Sequence, residues 1–158
     1  MAKDSGPVWK DPDIVKVRAL LEMFRPVAEG GSTQTWDERR AGMDAFAGIA
    51  VLAEGLVRED VDIDGLHAAR FTPKGADTTR TLLYLHGGGY CVGSSVSHAA
   101  LASRLAGVIG APTLVPDYRL APEHPFPAAV DDALKAYRHL LDSGIAPGKI
   151  AIAGDSAG

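Results

Sequence analysis

The chain has 158 residues, a formal net charge of -4 and a single cysteine, and 46% of its residues are hydrophobic. These values are typical of one globular domain and exclude a basic nucleic-acid-binding surface and an internal disulfide framework. The first residues include an early aspartate and no apolar run, and the longest uncharged apolar stretch, residues 45–53, is too short to cross a bilayer. We therefore expect a cytoplasmic protein with no secretory signal, no membrane span and no nucleic-acid partner.

The first 50 residues predict two helices and carry no catalytic motif. Apolar residues at helical spacing predict a helix over residues 13–24, which a helix-start sequence at 11–13 precedes. A Gly-Gly-Ser stretch at residues 30–32 interrupts this pattern. An alanine- and charge-rich segment then predicts a second helix over residues 36–53, although Gly42 and Gly48 weaken it.

Residues 57–79 predict an antiparallel hairpin. Apolar residues alternate with acids in the first part, Gly65 supplies a turn, and residues 67–71 form a second short strand.

From residue 81 onward, strands and helices alternate. The predicted elements are a strand at 81–85, a helix at 98–109 closed by Gly110, a strand at 111–120, a helix at 126–142 with Pro127 near its first turn, and a strand at 149–156. Apolar strands joined by helices predict right-handed crossovers and a parallel sheet that is covered on both faces. The fold class is therefore α/β.

The last strand leads into Gly154-Asp155-Ser156-Ala157-Gly158, a Gly-x-Ser-x-Gly sequence. A sharp turn at the end of a strand exposes a serine hydroxyl for nucleophilic attack and requires small neighbouring residues. The backbone N–H of Ala157 would then point at the developing oxyanion. A glycine-rich turn without chemistry is the alternative, and the position directly after a buried type of strand favours the nucleophile.

His86-Gly87-Gly88-Gly89-Tyr90 follows the strand at 81–85, so it lies at the same edge of the sheet as the serine. Consecutive glycines allow the backbone to approach a ligand closely, and their N–H groups are free to bind an oxyanion. A phosphate-binding loop would need a lysine and a longer spacing. We predict that His86 orders this loop by hydrogen bonding and is not the catalytic base.

A proline-rich loop, residues 117–127, joins the next strand to its helix. We expect Arg119 to form a structural ion pair with Asp117 or Glu123. His124 is a weak candidate base because neighbouring prolines fix its direction. The remaining histidines are expected to be solvated or satisfied at the surface: His67, His98 and His139. Their spacing relative to the acids and the cysteine predicts no metal site.

Together, HGGGY, DYRLAPEHPFPAA and GDSAG resemble the signatures of the hormone-sensitive-lipase family of α/β-hydrolases, in its bacterial esterase branch. The resemblance implies the amino-terminal half of that fold, with an antiparallel start to a mostly parallel sheet. Residues 1–50 would be a helical cap segment, and residues 51–158 a partial core that ends at the serine turn. It also implies hydrolysis of a small-molecule carboxylic ester without a cofactor.

The resemblance assigns roles to single residues as well. Ser156 would be the nucleophile, and the oxyanion-hole donors would be the N–H groups of Gly88, Gly89 and Ala157. The residues that support this site would be His86, Gly87, Tyr90 and Asp155.

In this fold the catalytic acid and histidine follow the serine, so we expect this chain to be the first half of an esterase of about twice the length. The remaining half, in the same chain or as a separate segment, would be its partner, and this segment alone would be inactive. The strand that carries Ser156 would then be an exposed apolar edge. Substrates would be short- to medium-chain acyl esters.

Two alternatives remain. Amide hydrolysis or acyl transfer could use the same scaffold, and a chain that naturally ends at Gly158 would be a non-catalytic binding or inert fragment. A homodimer is left open.

Overall fold

The computed structural model describes residues 33–48 and 50–158, of which Trp36–Gly158 form one compact unit. Its elements in chain order are α1 (Trp36–Ala47), β1 (Leu56–Ile63), β2 (Leu66–Pro73), β3 (Thr81–Leu85), α2 (Ala99–Ile109), β4 (Thr113–Pro116), α3 (Ala128–Asp142) and β5 (Ile150–Gly154). A single 3-10 turn, Pro147–Lys149, precedes β5. The predicted helix at 13–24 and the stretch at 30–32 lie outside the described residues.

Helix α1 ends earlier than the sequence predicts, at Ala47 instead of residue 53. The N–H of Gly48 still donates to the carbonyl oxygen of Asp44 at 2.9 Å, but the next bond, from Ala50 N–H to the Ala47 carbonyl, closes a tighter turn. Glycine costs up to about 1 kcal/mol relative to alanine in a helix, so Gly48 ends α1, whereas Gly42 is tolerated inside it.

Strands β1 and β2 confirm the predicted hairpin, with Ile63 opposite Leu66 in an antiparallel pair. The two connecting residues, Asp64 and Gly65, have φ angles of 49° and 85°. Two consecutive positive φ angles are the conformation that a two-residue type I′ turn requires. Gly65 N–H also donates to Asp62 Oδ1 at 3.1 Å, which fixes the turn.

The five strands form one mixed sheet in the order β1-β2-β4-β3-β5. Strand β2 is antiparallel to β1 and β4, whereas β3 is parallel to both β4 and β5. This arrangement confirms the predicted antiparallel start and parallel continuation. Leu85 lies opposite Gly154 at the ends of β3 and β5. The glycine loop (residues 86–90) and the serine turn (residues 154–158) therefore leave the sheet side by side.

Helices cover both faces of the sheet, as predicted. Successive strand residues point to opposite faces, so the buried apolar residues divide into two clusters. The cluster beside α3 contains Ile63, Leu66, Ala68, Leu83, Leu114, Ala136 and Leu140. The cluster beside α2 contains Ala69, Phe71, Leu82, Tyr84, Ala102, Ala106 and Val115.

Gly110 marks the end of α2, and Pro127 marks the beginning of α3. Gly110 follows α2 with a left-handed φ of 63°, and its N–H donates to the Ala106 carbonyl oxygen at 2.9 Å, so the predicted end is confirmed. Helix α3 begins at Ala128, with Pro127 at the N-cap, two residues later than predicted. Within the described residues, no helix is long and apolar enough to cross a membrane.

Strand β5 lies at the edge of the sheet, where β3 is its partner. Ile152 is 59% exposed there. This exposure matches the apolar edge that the sequence predicts for the strand carrying the serine turn.

Candidate active site

Ser156 occupies a strained position directly after β5. Its φ angle is 54°, in the left-handed region, and the residue is exposed. A non-glycine residue in that region costs roughly 1–3 kcal/mol, and such strain concentrates at functional sites. The turn therefore presents the serine hydroxyl to solvent at the carboxyl end of the sheet.

The two glycines that flank the serine sequence are required by close packing. A Cβ atom on Gly154 would overlap the backbone of Gly158 and lie 2.7 Å from the Leu85 carbonyl oxygen. A Cβ atom on Gly158 would overlap the same Leu85 carbonyl. The Gly-x-Ser-x-Gly spacing thus lets the serine turn fold back against the end of β3.

The glycine loop after β3 also depends on glycine. Gly88 has a φ angle of 127°, and a Cβ atom there would overlap the carbonyl group of Val92. The N–H groups of Cys91 and Val92 both donate to the Gly88 carbonyl oxygen at 3.1 Å. Gly89 and Tyr90 have φ angles of 59° and 61°. Residues 88–92 therefore form a tight turn in which Gly88 supplies a conformation and a close approach that a side chain would prevent.

Asp155 joins the glycine loop to the serine turn. Its Oδ1 accepts the N–H of Gly87 at 2.8 Å and the hydroxyl of Tyr84 at 2.7 Å. A Cβ atom on Gly87 would overlap this carboxylate, so Gly87 is the residue that allows the approach. Since Asp155 precedes Ser156 directly, the two predicted motifs meet at one place.

The contacts of Asp155 keep it ionised. Partial burial acts to raise the pKa of Asp155, but the hydrogen bonds from Tyr84 and Gly87 outweigh it and hold the pKa below its ordinary value. Burial and the neighbouring carboxylate raise the pKa of Tyr84. The phenol therefore stays a donor and the carboxylate an acceptor, and the link between the loops persists through neutral pH.

The backbone N–H groups of the glycine loop and the serine turn differ in whether a hydrogen bond already uses them. Gly87 N–H is committed to Asp155. In the described part of the chain, by contrast, the N–H groups of Gly88, Gly89 and Ala157 have no hydrogen-bond acceptor. These are the same three groups that the family resemblance implies as oxyanion-hole donors.

His86 lies beneath the glycine loop. It is fully buried, its Nδ1 lies 2.9 Å from the Gly87 carbonyl oxygen, and its ring stacks on Tyr118 at a centroid distance of 4.1 Å. The Tyr118 hydroxyl donates to the His86 carbonyl oxygen. Burial lowers the pKa of His86, so the ring is neutral and Nδ1 carries the proton that the carbonyl accepts. These contacts hold the base of the loop.

His98 does not lie at the surface, so the sequence expectation for it is wrong. It is 8% exposed at the N-cap of α2. Its Nδ1 lies 2.9 Å from Ser97 Oγ, and its Nε2 lies 3.4 Å from Asp155 Oδ1. The packing of this helix start against the serine turn is a long-range contact that local sequence does not reveal. His67, by contrast, is half exposed, and its Nδ1 lies 2.6 Å from Asp117 Oδ2.

Arg119 does form a structural ion pair, but the predicted partners, Asp117 and Glu123, are wrong. Its Nε and Nη2 bind the two carboxylate oxygens of Asp132 at 2.9 and 2.8 Å, and its backbone N–H donates to the same carboxylate at 2.8 Å. Asp132 lies in the first turns of α3, 13 residues further along the chain. The pair therefore fastens the proline-rich loop to the helix that follows it.

Sequence reasoning missed Arg40 of α1. Its guanidinium contacts Cys91 and Ala121 in the two loops at the site, and it forms an ion pair with Glu123 at 2.7 Å. One local signal was available, since Arg40 and Asp44 are four residues apart and share a helix face. What this face contacts depends on the tertiary fold.

An apolar groove of about 380 Å³ begins at the glycine loop. Its lining includes Gly89 and Tyr90 of the glycine loop and Phe126, Pro127 and Val130 from the start of α3 and the residues before it. The Phe126 side chain is 87% exposed. Mostly apolar walls next to a few directed polar groups are typical of sites for small organic ligands. No cluster of histidine, cysteine and acidic residues in the described part of the chain could hold a metal ion.

A family model described as alpha/beta hydrolase fold matches residues 82–158. The chain is 40% identical over 147 residues to the acetyl-hydrolase of Streptomyces hygroscopicus, an alignment that covers 93% of this chain and 48% of that protein. It is 51% identical over 81 residues to the ethyl acetate hydrolase of Pseudomonas putida, covering 49% of this chain and 26% of that protein.

Among solved structures, an esterase from the bacterial hormone-sensitive lipase family superimposes with a TM-score of 0.83 at 38% identity. This alignment covers 96% of this chain and 50% of that one. The chain thus spans about half the length, or less, of the relatives it matches.

Proposed function

Because the chain belongs to the hormone-sensitive-lipase family of α/β-hydrolases, we propose that the whole protein is a serine carboxylesterase. Its substrates are short- to medium-chain acyl esters, and it needs no cofactor. The observation that carries the proposal is the meeting of two loops: the strained turn of Ser156 lies beside the glycine loop, whose Gly88 and Gly89 N–H groups have no acceptor among the described residues.

In the proposed mechanism, Ser156 Oγ attacks the ester carbonyl and gives up its proton to a histidine. The oxygen of the tetrahedral intermediate is bound by the N–H groups of Gly88, Gly89 and Ala157. Each such donor contributes about 3–4 kcal/mol to the transition state, because it is already aimed when charge develops. The alcohol leaves, and water then hydrolyses the acyl group from Ser156.

The proposed base and acid lie in a carboxyl-terminal half. In the described residues, no histidine forms a hydrogen bond with Ser156, since His86 binds the Gly87 carbonyl and His98 contacts Ser97 and Asp155. In this fold the acid and the histidine come after the serine in chain order. A segment limited to residues 1–158 therefore lacks the route that activates the serine and is expected to be inactive.

The substrate class rests on the groove and the relatives. One relative is named ethyl acetate hydrolase, after a small ester, and another is named acetyl-hydrolase, after a short acyl group. The groove beside Gly89 is mostly apolar and suits the hydrocarbon part of such a molecule.

The experiment uses the whole natural protein and p-nitrophenyl acetate as the substrate. We expect turnover that is lost in Ser156→Ala, and covalent labelling of Ser156 by a fluorophosphonate probe, which mimics the tetrahedral intermediate. Asp142→Ala, which changes an exposed residue at the end of α3, is a control for expression and folding. Turnover or labelling that survives Ser156→Ala would refute the proposal.

A further inference from the structure

Arg40 reaches two loops from helix α1. Its Nε donates to the carbonyl oxygen of Cys91 at 2.9 Å, and its Nη2 donates to the carbonyl oxygen of Ala121 at 2.9 Å. The Glu123 carboxylate accepts from Nη1 and Nη2 at 3.2 and 2.7 Å. All three nitrogens of the planar guanidinium thus form hydrogen bonds. A lysine ammonium cannot reproduce this set of bonds.

These contacts close a ring of hydrogen bonds at the end of the glycine loop. The N–H of Ala121 donates to the Tyr90 carbonyl oxygen at 2.8 Å, so the two loops are joined both directly and through Arg40. Cys91 N–H donates in turn to the Gly88 carbonyl oxygen at 3.1 Å. A displacement of Cys91 is therefore transmitted to Gly88.

Helix α1 holds the same loop at a second point. Asp44 lies one turn beyond Arg40 on the same face of the helix, and its Oδ1 accepts the hydroxyl of Ser94 at 2.5 Å. The Ser94 hydroxyl oxygen accepts the N–H groups of Val96 and Ser97 at 3.1 and 2.9 Å. The chain leaving the glycine loop is therefore fixed at both Cys91 and Ser94.

We infer that Arg40 is a positioning residue for the glycine loop. It holds Tyr90 and Cys91 against the proline-rich loop, and so keeps the N–H groups of Gly88 and Gly89 aimed at the oxyanion. The inference rests on the proposed function, since this aim matters when an oxyanion forms there.

A positioning role and a purely structural role predict different kinetics. If Arg40 only fastened α1 to the core, its loss would lower the fraction of folded protein and leave each folded molecule with normal turnover. Misaimed N–H groups weaken binding of the transition state more than binding of the substrate, so a positioning role lowers kcat and leaves KM nearly unchanged.

The test compares Arg40→Lys and Arg40→Ala with the wild type in the whole natural protein, with p-nitrophenyl acetate as the substrate. Fluorophosphonate labelling counts the active sites, so that kcat refers to folded molecules. We expect kcat per labelled site to fall about 10- to 100-fold in both variants. Arg138→Gln, which changes an exposed arginine on α3, should keep the wild-type kcat and KM.

Guanidinium ion supplies a second arm of the test. In Arg40→Ala it can occupy the vacated position and bind the Cys91 and Ala121 carbonyl groups, so millimolar guanidinium chloride should restore part of kcat, and equal sodium chloride should not. If either Arg40→Lys or Arg40→Ala yields no labelled sites, the proposal is tested with the other variant.

The outcomes separate the two proposals. Wild-type turnover in Ser156→Ala would refute the proposed function itself. Turnover that depends on Ser156, together with an unchanged kcat per labelled site in Arg40→Lys or no specific recovery by guanidinium in Arg40→Ala, would overturn the positioning role alone.

Discussion

Replacing Gly88 by alanine should disable turnover without unfolding the protein. The φ angle of 127° belongs to glycine, and the added Cβ atom would overlap the Val92 carbonyl. The loop must shift to relieve this overlap, and the N–H groups of Gly88 and Gly89 shift with it. Removing one oxyanion donor lowers kcat by about 10²–10³, so we expect a loss of at least about 100-fold in Gly88→Ala.

Gly75→Ala is the matched control. Gly75 also has a left-handed φ, 74°, but a Cβ atom there meets no heavy atom within 4 Å. Its replacement adds similar backbone strain, about 1–2 kcal/mol, without moving any loop at the site. The assay measures kcat per labelled site and the urea midpoint. A kcat within about tenfold of wild type in Gly88→Ala, or an equal loss in Gly75→Ala, would refute the reasoning.

Three further changes are predictable. Asp155→Ala removes the acceptor of Gly87 N–H and should lower kcat per labelled site by about 10- to 100-fold, whereas Asp155→Asn keeps an acceptor oxygen and should lose less. Burial acts to raise the pKa of Asp132, but the hydrogen bonds from Arg119 outweigh this effect and hold the pKa below its ordinary value. Its contribution to stability is therefore complete above the unfolded-state pKa, about 4, and is lost as pH falls through the lowered folded-state pKa. In urea titrations Asp132→Asn should lower the free energy of unfolding by about 1–3 kcal/mol at pH 7. Below about pH 4 this free energy should fall less steeply with decreasing pH in the variant than in the wild type. Parallel curves of unfolding free energy against pH would contradict this. Ile152 is 59% exposed on the edge strand β5, through which copies of the 158-residue chain are expected to associate. Ile152→Lys should therefore reduce light scattering by this chain. Unchanged scattering would show that the chains associate through another surface.

The local sequence was sufficient to predict the structure where a single residue determines the backbone conformation. Gly65 marks the hairpin turn and Gly110 the end of α2, and both have the positive φ that the patterns imply. The hairpin pattern predicts the antiparallel start of the sheet, and the alternation of strands and helices predicts its parallel continuation. The glycine loop and the serine turn could be placed at one sheet edge because both follow parallel strands, which are adjacent in the structure.

Contacts between distant residues were not predictable in the same way. Arg40 and Glu123 are 83 residues apart, and nothing in either local sequence indicates the pairing. Arg119 had two plausible acids close by in the sequence, yet helix α3 brings Asp132 to its guanidinium, with both of its oxygens in reach. From the sequence, His98 is expected to be a surface residue at the start of a helix. In the structure, the packing of α2 places it next to Asp155. In each case the partner is chosen by the tertiary fold.

The most direct test of the account is a crystal structure of the whole protein after reaction with a fluorophosphonate. We predict a phosphorus–oxygen bond to Ser156, with the phosphonyl oxygen within hydrogen-bonding distance of the N–H groups of Gly88, Gly89 and Ala157. A label on another residue, or a phosphonyl oxygen directed away from the glycine loop, would contradict it.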